Sequence, residues 1–384
     1  MAKVTAFLMT IVMFLFPSWN IPEAPSVPGS KENEYTCVFV HGLGGWGEDS
    51  LIYSIVPYWG MMGGDAMRYL QARGFDCCAA DVNPSASAWD RACELYAQLT
   101  GTRTDYGSEH SARFGHKRFG KDYSRHPLVR EFSAEAKIHL LGHSFGGATV
   151  LQFVDLMTNG SKSEQAASPE DVSGLFTGGK KDWLYSVTML AAPMNGTTAY
   201  DLKEIVPKEK NATFPERLVV AMCALASVPP LDGRDKQDCA AYDMTIDGAA
   251  QLNKRLHLPD SLYYFSVPCC TVTQTADGTY EALPSTEPLF VASANRLGRY
   301  TTTTPEGTVV DASWLPNDGL VNTISAVAPF GAKTTQLDRN HVRPGVWNIF
   351  PTYEGDHMSL MGGFMKNNNV RLFYVDLLTL LYSL

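Results

Sequence analysis

The sequence is short of the features that mark several large classes of protein. Only 18% of it is charged and acids outnumber bases, so its net charge of −9 offers a nucleic-acid backbone no positive field, and no nucleic-acid partner is expected. Repeats, charge blocks and low-complexity tracts are absent. The eight cysteines, at 37, 77, 78, 93, 223, 239, 269 and 270, have neither the spacing of a stapled scaffold nor a metal motif. Most are expected to be free thiols of the core, with Cys37, Cys77 and Cys269 lying in strand-like runs. The apolar run from Val4 to Phe16 is too short to span a bilayer comfortably. With Lys3 ahead of it, the run has the outline of an export leader over residues 1–24, although no clean small-x-small cleavage site follows. A buried N-terminal helix is the alternative, but nothing polar alternates through the run. A secreted protein with no stable membrane span after leader removal is therefore expected.

What is present is the composition of a globular chain, 45% hydrophobic. Residues 25–384 suffice for one large domain with insertions or for two modest ones, and one α/β domain is expected. Its organising stretch is Ile138-His139-Leu140-Leu141-Gly142-His143-Ser144-Phe145-Gly146-Gly147, followed by the apolar run from Ala148 to Val154. An apolar strand, a Gly-x-Ser-x-Gly turn and a helical pattern are the context of a nucleophile elbow, in which a strained turn lifts a serine hydroxyl above a sheet. Small residues at 142 and 146 let strand and helix pass closely. Ser144 is thus the candidate nucleophile.

A second strand, Thr36 to His41, runs into Gly42-Leu43-Gly44-Gly45-Trp46-Gly47. No G-K-[ST] follows and the spacing fails the dinucleotide fingerprint, so this loop is not read as a phosphate cradle. At this position an α/β-hydrolase supplies half of its oxyanion hole, which assigns the backbone N–H groups of Leu43 and Phe145 as the donors. Further along, helices are expected at 64–73, 88–99, 148–158 and 370–383, and strands at 76–81, 138–142 and 184–192. Strand and helix in alternation predict an α/β fold, a mostly parallel central sheet with helices on both faces. Insertions interrupt it at 101–127, polar and without strand signal, and at 197–253, with an apolar helix at 218–228 that reads equally as a cover over an acyl pocket or as a plain buried helix.

A serine needs a base, and in the α/β-hydrolase order acid and base follow the nucleophile, which leaves His257, His341 and His357. His357 is preferred because its loop, just before the last helix, can reach back over the sheet. Asp318, in an Asn-Asp-Gly turn, is the preferred acid. Its rival Asp356 adjoins His357, and neighbouring side chains of an extended segment point apart. Asp90, His110 and His116 could bind zinc, but their separation is too wide for a local motif, and by spacing alone they read first as a surface helix acid and loop histidines.

The run Trp89-Asp90-Arg91-Ala92-Cys93-Glu94-Leu95-Tyr96, with Asp105-Tyr106-Gly107, His110 and Gly115-His116, resembles the zinc-carrying bacterial lipases of the Bacillus and staphylococcal type. So do His41-Gly42 with Gly45-Trp46-Gly47, Asn317-Asp318-Gly319, Gly345-Val346-Trp347-Asn348 and Asp356-His357. The resemblance implies an α/β-hydrolase with the triad Ser144, Asp318 and His357. It implies a structural zinc ion on Asp90, His110, His116 and, through Tyr242-Asp243, Asp243. The family often binds calcium with acids just after the catalytic histidine. Here Met358-Ser359-Leu360-Met361-Gly362-Gly363 follows, so calcium is not expected there. The segment from Thr198 to Asp243 is shorter than the family's two-helix lid, which suggests a more open acyl site. Gly142 also stands where Bacillus-type members carry alanine.

The expected activity is carboxylic-ester hydrolysis by an acyl-enzyme, with triacylglycerol lipase as the leading form and an ester or lipid substrate, free in solution or at an oil–water interface. A carboxylesterase, a polyester hydrolase, a thioesterase or acyltransferase, and a silent zinc-stabilised binding module remain alternatives.

Overall fold

In this computed structural model, residues 31–201, 237–364 and 369–384 are described. The expected leader at 1–24 and the expected cover helix at 218–228 lie outside them.

The centre is a sheet built from β1 (Thr36–Val40), β2 (Cys77–Ala80), β5 (Ile138–His143), β6 (Leu184–Leu190), β7 (Tyr263–Val267), β8 (Thr334–Gln336) and β9 (Trp347–Ile349). Two short strands, β3 (Arg103–Asp105) and β4 (Phe119–Asp122), lie outside it. The order across the sheet is β8-β9-β7-β6-β5-β1-β2, and every pairing is parallel. Parallel strands need crossovers that cover both faces, so each strand buries alternate residues on opposite sides. In β1, Cys37 and Phe39 enter one core with Trp59, Leu70 and Tyr374. Val38 and Val40 enter the other with Leu140, Val150 and Val154.

The first face is covered by α1 (Ala66–Gln71) and the last helix, Arg371–Tyr382. The second is covered by α2 (Ala88–Thr100) and α4 (Gly146–Asn159). Ser87 caps α2 by accepting from the N–H of Asp90, and Gly101 closes it in a left-handed conformation. Between them α3 (Ser108–Phe114) sits in the first insertion, and α5 (Lys162–Ala167) follows α4. The second insertion emerges at α6 (Ala240–Asp243) and α7 (Ile246–Arg255). Among the described residues no helix is long and apolar enough to cross a membrane.

The chain order places the site. From β1 the chain runs outward to β2, then returns to β5 on the other flank of β1 and proceeds to β6. The carboxyl ends of β1 and β5 therefore flank the point where the winding reverses, the crevice in which open parallel sheets bind ligands.

Two differences from the sequence reading have local causes. The first insertion was expected to lack strands, yet β3 and β4 pair antiparallel in it. Both are short and largely polar, so they carry no apolar alternation to recognise. The helix expected at 64–73 is shorter, because Asp65 caps it by accepting from the N–H of Arg68, leaving Gly64 outside. The seven described cysteines carry free thiols, and six of them are buried.

Candidate active site and metal centre

Ser144 has φ +54°, the left-handed conformation that side chains other than glycine rarely adopt. Its neighbours allow this. A Cβ on Gly146 would stand 2.2 Å from the carbonyl oxygen of Val40, and one on Gly142 would stand 2.7 Å from the carbonyl carbon of Gly146. Strand and helix can meet at this angle only without those side chains.

The hydroxyl meets a base and an acid from distant loops. His357 Nε2 lies 2.8 Å from Ser144 Oγ, and His357 Nδ1 lies 2.8 Å from Asp318 Oδ2. The other Asp318 oxygen accepts from the N–H groups of Leu320 at 3.0 Å and Val321 at 2.7 Å, which keeps the carboxylate oriented at the ring. All three side chains are buried. Asp356 does something else: its carboxylate accepts from the N–H groups of Glu287 and Met358. The rival bases also lie elsewhere, His341 exposed against Asp338 and His257 with its N–H on Asp155.

Leu43, Gly44, Tyr58, Phe290 and Val321 help line a mainly apolar cavity of about 450 Å³ that reaches Ser144 and His357. The N–H groups of Leu43 and Phe145 donate to no acceptor among the described residues. Phe145 is also the N-cap residue of α4, whose first amides point toward the nucleophile turn. Such an arrangement can activate a hydroxyl and receive an oxyanion.

A second cluster lies beyond α2. The side chains of Asp90, His110, His116 and Asp238 place one ligating atom each within 4.8 Å of one another. His110 Nε2 is 3.2 Å from Asp90 Oδ1 and 3.3 Å from Asp238 Oδ1, and His116 Nε2 is 3.2 Å from Asp238 Oδ2. Zinc bonds of about 2.0–2.1 Å in a tetrahedron put ligand atoms about 3.3 Å apart, so the donor set and its spacing fit such an ion. His116 Nδ1 lies 3.0 Å from the carbonyl of Lys117, which assigns its proton there and leaves Nε2 to face the cluster. Burial lowers the His110 imidazole, but hydrogen bonds and charge from Asp238 and Asp90 outweigh it and draw the ring up to about 9. The cluster thus calls for positive charge, which a proton or a metal ion supplies.

Asp243, assigned from the sequence as the fourth ligand, is not in the cluster. Its Oδ2 accepts from the N–H of Ala88 at 2.7 Å, capping the first turn of α2. Burial raises its carboxyl to about 7. Asp238, one residue before the cap of α6, takes the fourth corner instead. The two acids lie five residues apart and nothing local separates them. Sequence reading also missed the groups that position the histidines. Trp89 stacks on the His110 ring at 5.0 Å, and Glu164 accepts from the N–H groups of Glu109 at 3.0 Å and His110 at 2.7 Å.

The sheet, the elbow and its partners define an α/β-hydrolase of the lipase and esterase group. A family model described as "Lipase-like, C-terminal domain" matches residues 33–211 and 233–377, and the chain belongs to that family. Lipase 1 of Staphylococcus aureus (strain MRSA252) is 30% identical over 370 residues, covering 87% of this chain and 52% of that protein. The chain thus spans about half the length of the curated relatives it matches. Among solved structures, EstA from Clostridium botulinum has a TM-score of 0.79 at 30% identity, covering 97% of this chain and 94% of that one. Lipase 1 from Pelosinus fermentans has a TM-score of 0.75 at 32% identity, covering 92% of this chain and 99% of that one.

Proposed function

We propose that the protein is an exported serine hydrolase of carboxylic esters, and in the first instance a triacylglycerol lipase. The observation that carries the reading is the unbroken hydrogen-bonded line from Ser144 Oγ through both nitrogens of His357 to Asp318. Ser144 attacks the ester carbonyl as His357 Nε2 takes its proton. The negative charge then on the carbonyl oxygen is received by the N–H groups of Leu43 and Phe145. Collapse of the tetrahedral adduct breaks the bond to the ester oxygen, which takes the proton from His357 Nε2 and leaves as the alcohol. A water activated by the same nitrogen releases the acid and restores the hydroxyl. Asp318 keeps Nδ1–H in place and balances the imidazolium formed in each half of the cycle. The apolar cavity lined by Leu43, Phe290 and Val321 would hold an acyl chain and exclude water.

Asp90, His110, His116 and Asp238 would hold a zinc ion that joins the first insertion to the chain before α6. Held by these four side chains, such an ion would supply structural positive charge between the two carboxylates and not take part in the ester chemistry. Export is supported by the apolar run from Val4 to Phe16.

An esterase or polyester hydrolase is the second reading. It is favoured by the short segment between Thr198 and Asp243 and by the similarity to a protein named EstA. The deciding experiment measures wild type and Ser144→Ala on tributyrin, on emulsified long-chain triglyceride and on p-nitrophenyl esters, with zinc content determined on the same preparations. Turnover of long-chain triglyceride lost in Ser144→Ala supports the lipase. Turnover of short esters alone supports the esterase. Equal activity of the two proteins would defeat the mechanism.

A further inference from the structure

A line of hydrogen bonds runs behind the triad. The N–H of Gly42 donates to Tyr58 Oη at 3.0 Å, Tyr58 Oη lies 2.7 Å from His143 Nδ1, and His143 Nε2 lies 3.0 Å from the carbonyl oxygen of His357. Chemistry sets the direction of every bond. A carbonyl only accepts, so His143 carries its proton on Nε2. A neutral imidazole then presents a bare Nδ1, which accepts the hydroxyl proton of Tyr58. The Tyr58 oxygen is left to accept from Gly42, whose N–H can only donate.

Both side chains are buried, and burial keeps each in the form this line needs. The His143 imidazole is held well below its ordinary range, first by burial and then by His357 beside it. Burial pushes the Tyr58 hydroxyl well above its usual range, so it stays protonated. Neither group changes charge near neutrality.

At the Gly42 end, the N–H that Tyr58 accepts from belongs to the His41–Gly42 peptide, directly before the Gly42–Leu43 peptide that carries the oxyanion donor. The Gly42 carbonyl accepts from the N–H of Gly45 at 3.2 Å and from His41 Nδ1 at 2.8 Å. In a trans peptide the carbonyl and the following N–H point opposite ways. Bonds that hold the Gly42 carbonyl therefore turn the N–H of Leu43 away from them, and Leu43 lines the cavity. The His357 end fixes the backbone of the base. Tyr58 and His143 together join the two loops, one at the N–H of Gly42 and the other at the carbonyl of His357.

We propose that Tyr58 and His143 are positioning residues that hold the oxyanion peptide at Gly42–Leu43 in register with the loop carrying His357, so that donor and base address one tetrahedral carbon. The proposal rests on the ester-hydrolase reading above.

Tyr58→Phe removes only the hydroxyl, because the ring keeps its packing on Trp46 and Trp59. The experiment compares wild type, Ser144→Ala, Tyr58→Phe, His143→Gln and the double variant on p-nitrophenyl butyrate. Thermal midpoints and the rate of covalent inactivation by a p-nitrophenyl alkylphosphonate are followed in parallel. In Tyr58→Phe, kcat is expected to fall about tenfold to a hundredfold, with KM within about threefold. Phosphonylation should slow with kcat, since its tetrahedral adduct needs the same donors. The double variant should be no slower than the slower single one, because one break opens the whole line. A Tyr58→Phe enzyme with kcat within about twofold of wild type, a loss confined to KM, or losses that multiply in the double variant would each overturn the proposal. Should His143→Gln fail to fold, Tyr58→Phe decides alone. If wild type hydrolyses the ester and Ser144→Ala does not, the ester-hydrolase reading stands whatever Tyr58→Phe does. A wild type that turns over no ester overturns both.

Discussion

Asp90 and Arg91 are consecutive on α2, yet their side chains end at different sites. Asp90 joins the cluster that could hold a metal ion, 3.2 Å from His110 Nε2. Arg91, fully buried, donates through Nη2 to the carbonyl of His41 and stands 4.9 Å from the centre of the Phe145 ring. One turn of helix thus braces both halves of the proposed oxyanion hole and one corner of the cluster.

The cluster can be tested by separating its second acid, Asp238, from the residue that sequence reading preferred. Asp238→Asn is expected to lose bound zinc, measured by elemental analysis, and to lower the melting temperature by on the order of 5 °C or more. Asp243→Asn should keep the metal and lose about 1 kcal/mol through the weakened cap on α2. Full metal content in Asp238→Asn with loss in Asp243→Asn would reverse the assignment.

Asp318→Asn probes the orienting acid. The side-chain oxygen of the asparagine would remain on the N–H groups of Leu320 and Val321, turning its NH₂ toward His357 Nδ1. The ring must then accept there and carry its proton on Nε2, where it cannot take one from Ser144. A fall in kcat of about 10³–10⁴-fold is expected with KM little changed. Steady-state kinetics on p-nitrophenyl butyrate checks it, and a loss below about tenfold would remove Asp318 from the mechanism.

Gly146→Ala should test the elbow as architecture. The added Cβ meets the carbonyl oxygen of Val40 at 2.2 Å, backbone that cannot step aside. A loss of about 3 kcal/mol or more in urea unfolding is expected. Gly44→Ala is the control. Its Cβ meets nothing within 4 Å, so only the backbone at φ +66° is strained, costing about 1 kcal/mol.

Glu94 should make stability depend on pH. Burial raises its carboxyl to about 7, against hydrogen bonds from the N–H of Asn83 and the hydroxyl of Tyr106. The folded state therefore binds a proton that the unfolded chain, titrating near 4.5, has released. Stability from this group is fully present below about 4.5 and declines as pH rises to about 7, then levels off. Glu94→Gln carries no such proton. The melting temperature of wild type minus that of the variant should fall between pH 5 and pH 7.5, and a difference constant across that range would refute the assignment.

The elbow was legible because its cause is local. Sterics between neighbouring turns demand small residues around Ser144, and a chain of five or six residues states that demand outright. Strand alternation foretold the parallel sheet for the same reason. The polar strands at 103–105 and 119–122 were not legible, since pairing there rests on backbone bonds that leave no apolar period.

The sequence by itself determined the nucleophile turn, the alternation that builds the sheet, and the candidate acid and base. Each rests on contacts within a few residues or on the order of motifs along the chain. Only the tertiary structure decided that Asp238 and not Asp243 faces His110 and His116, and that Tyr58 meets His143. Those choices turn on which way side chains point once separate elements have packed, and packing is a property of the whole chain.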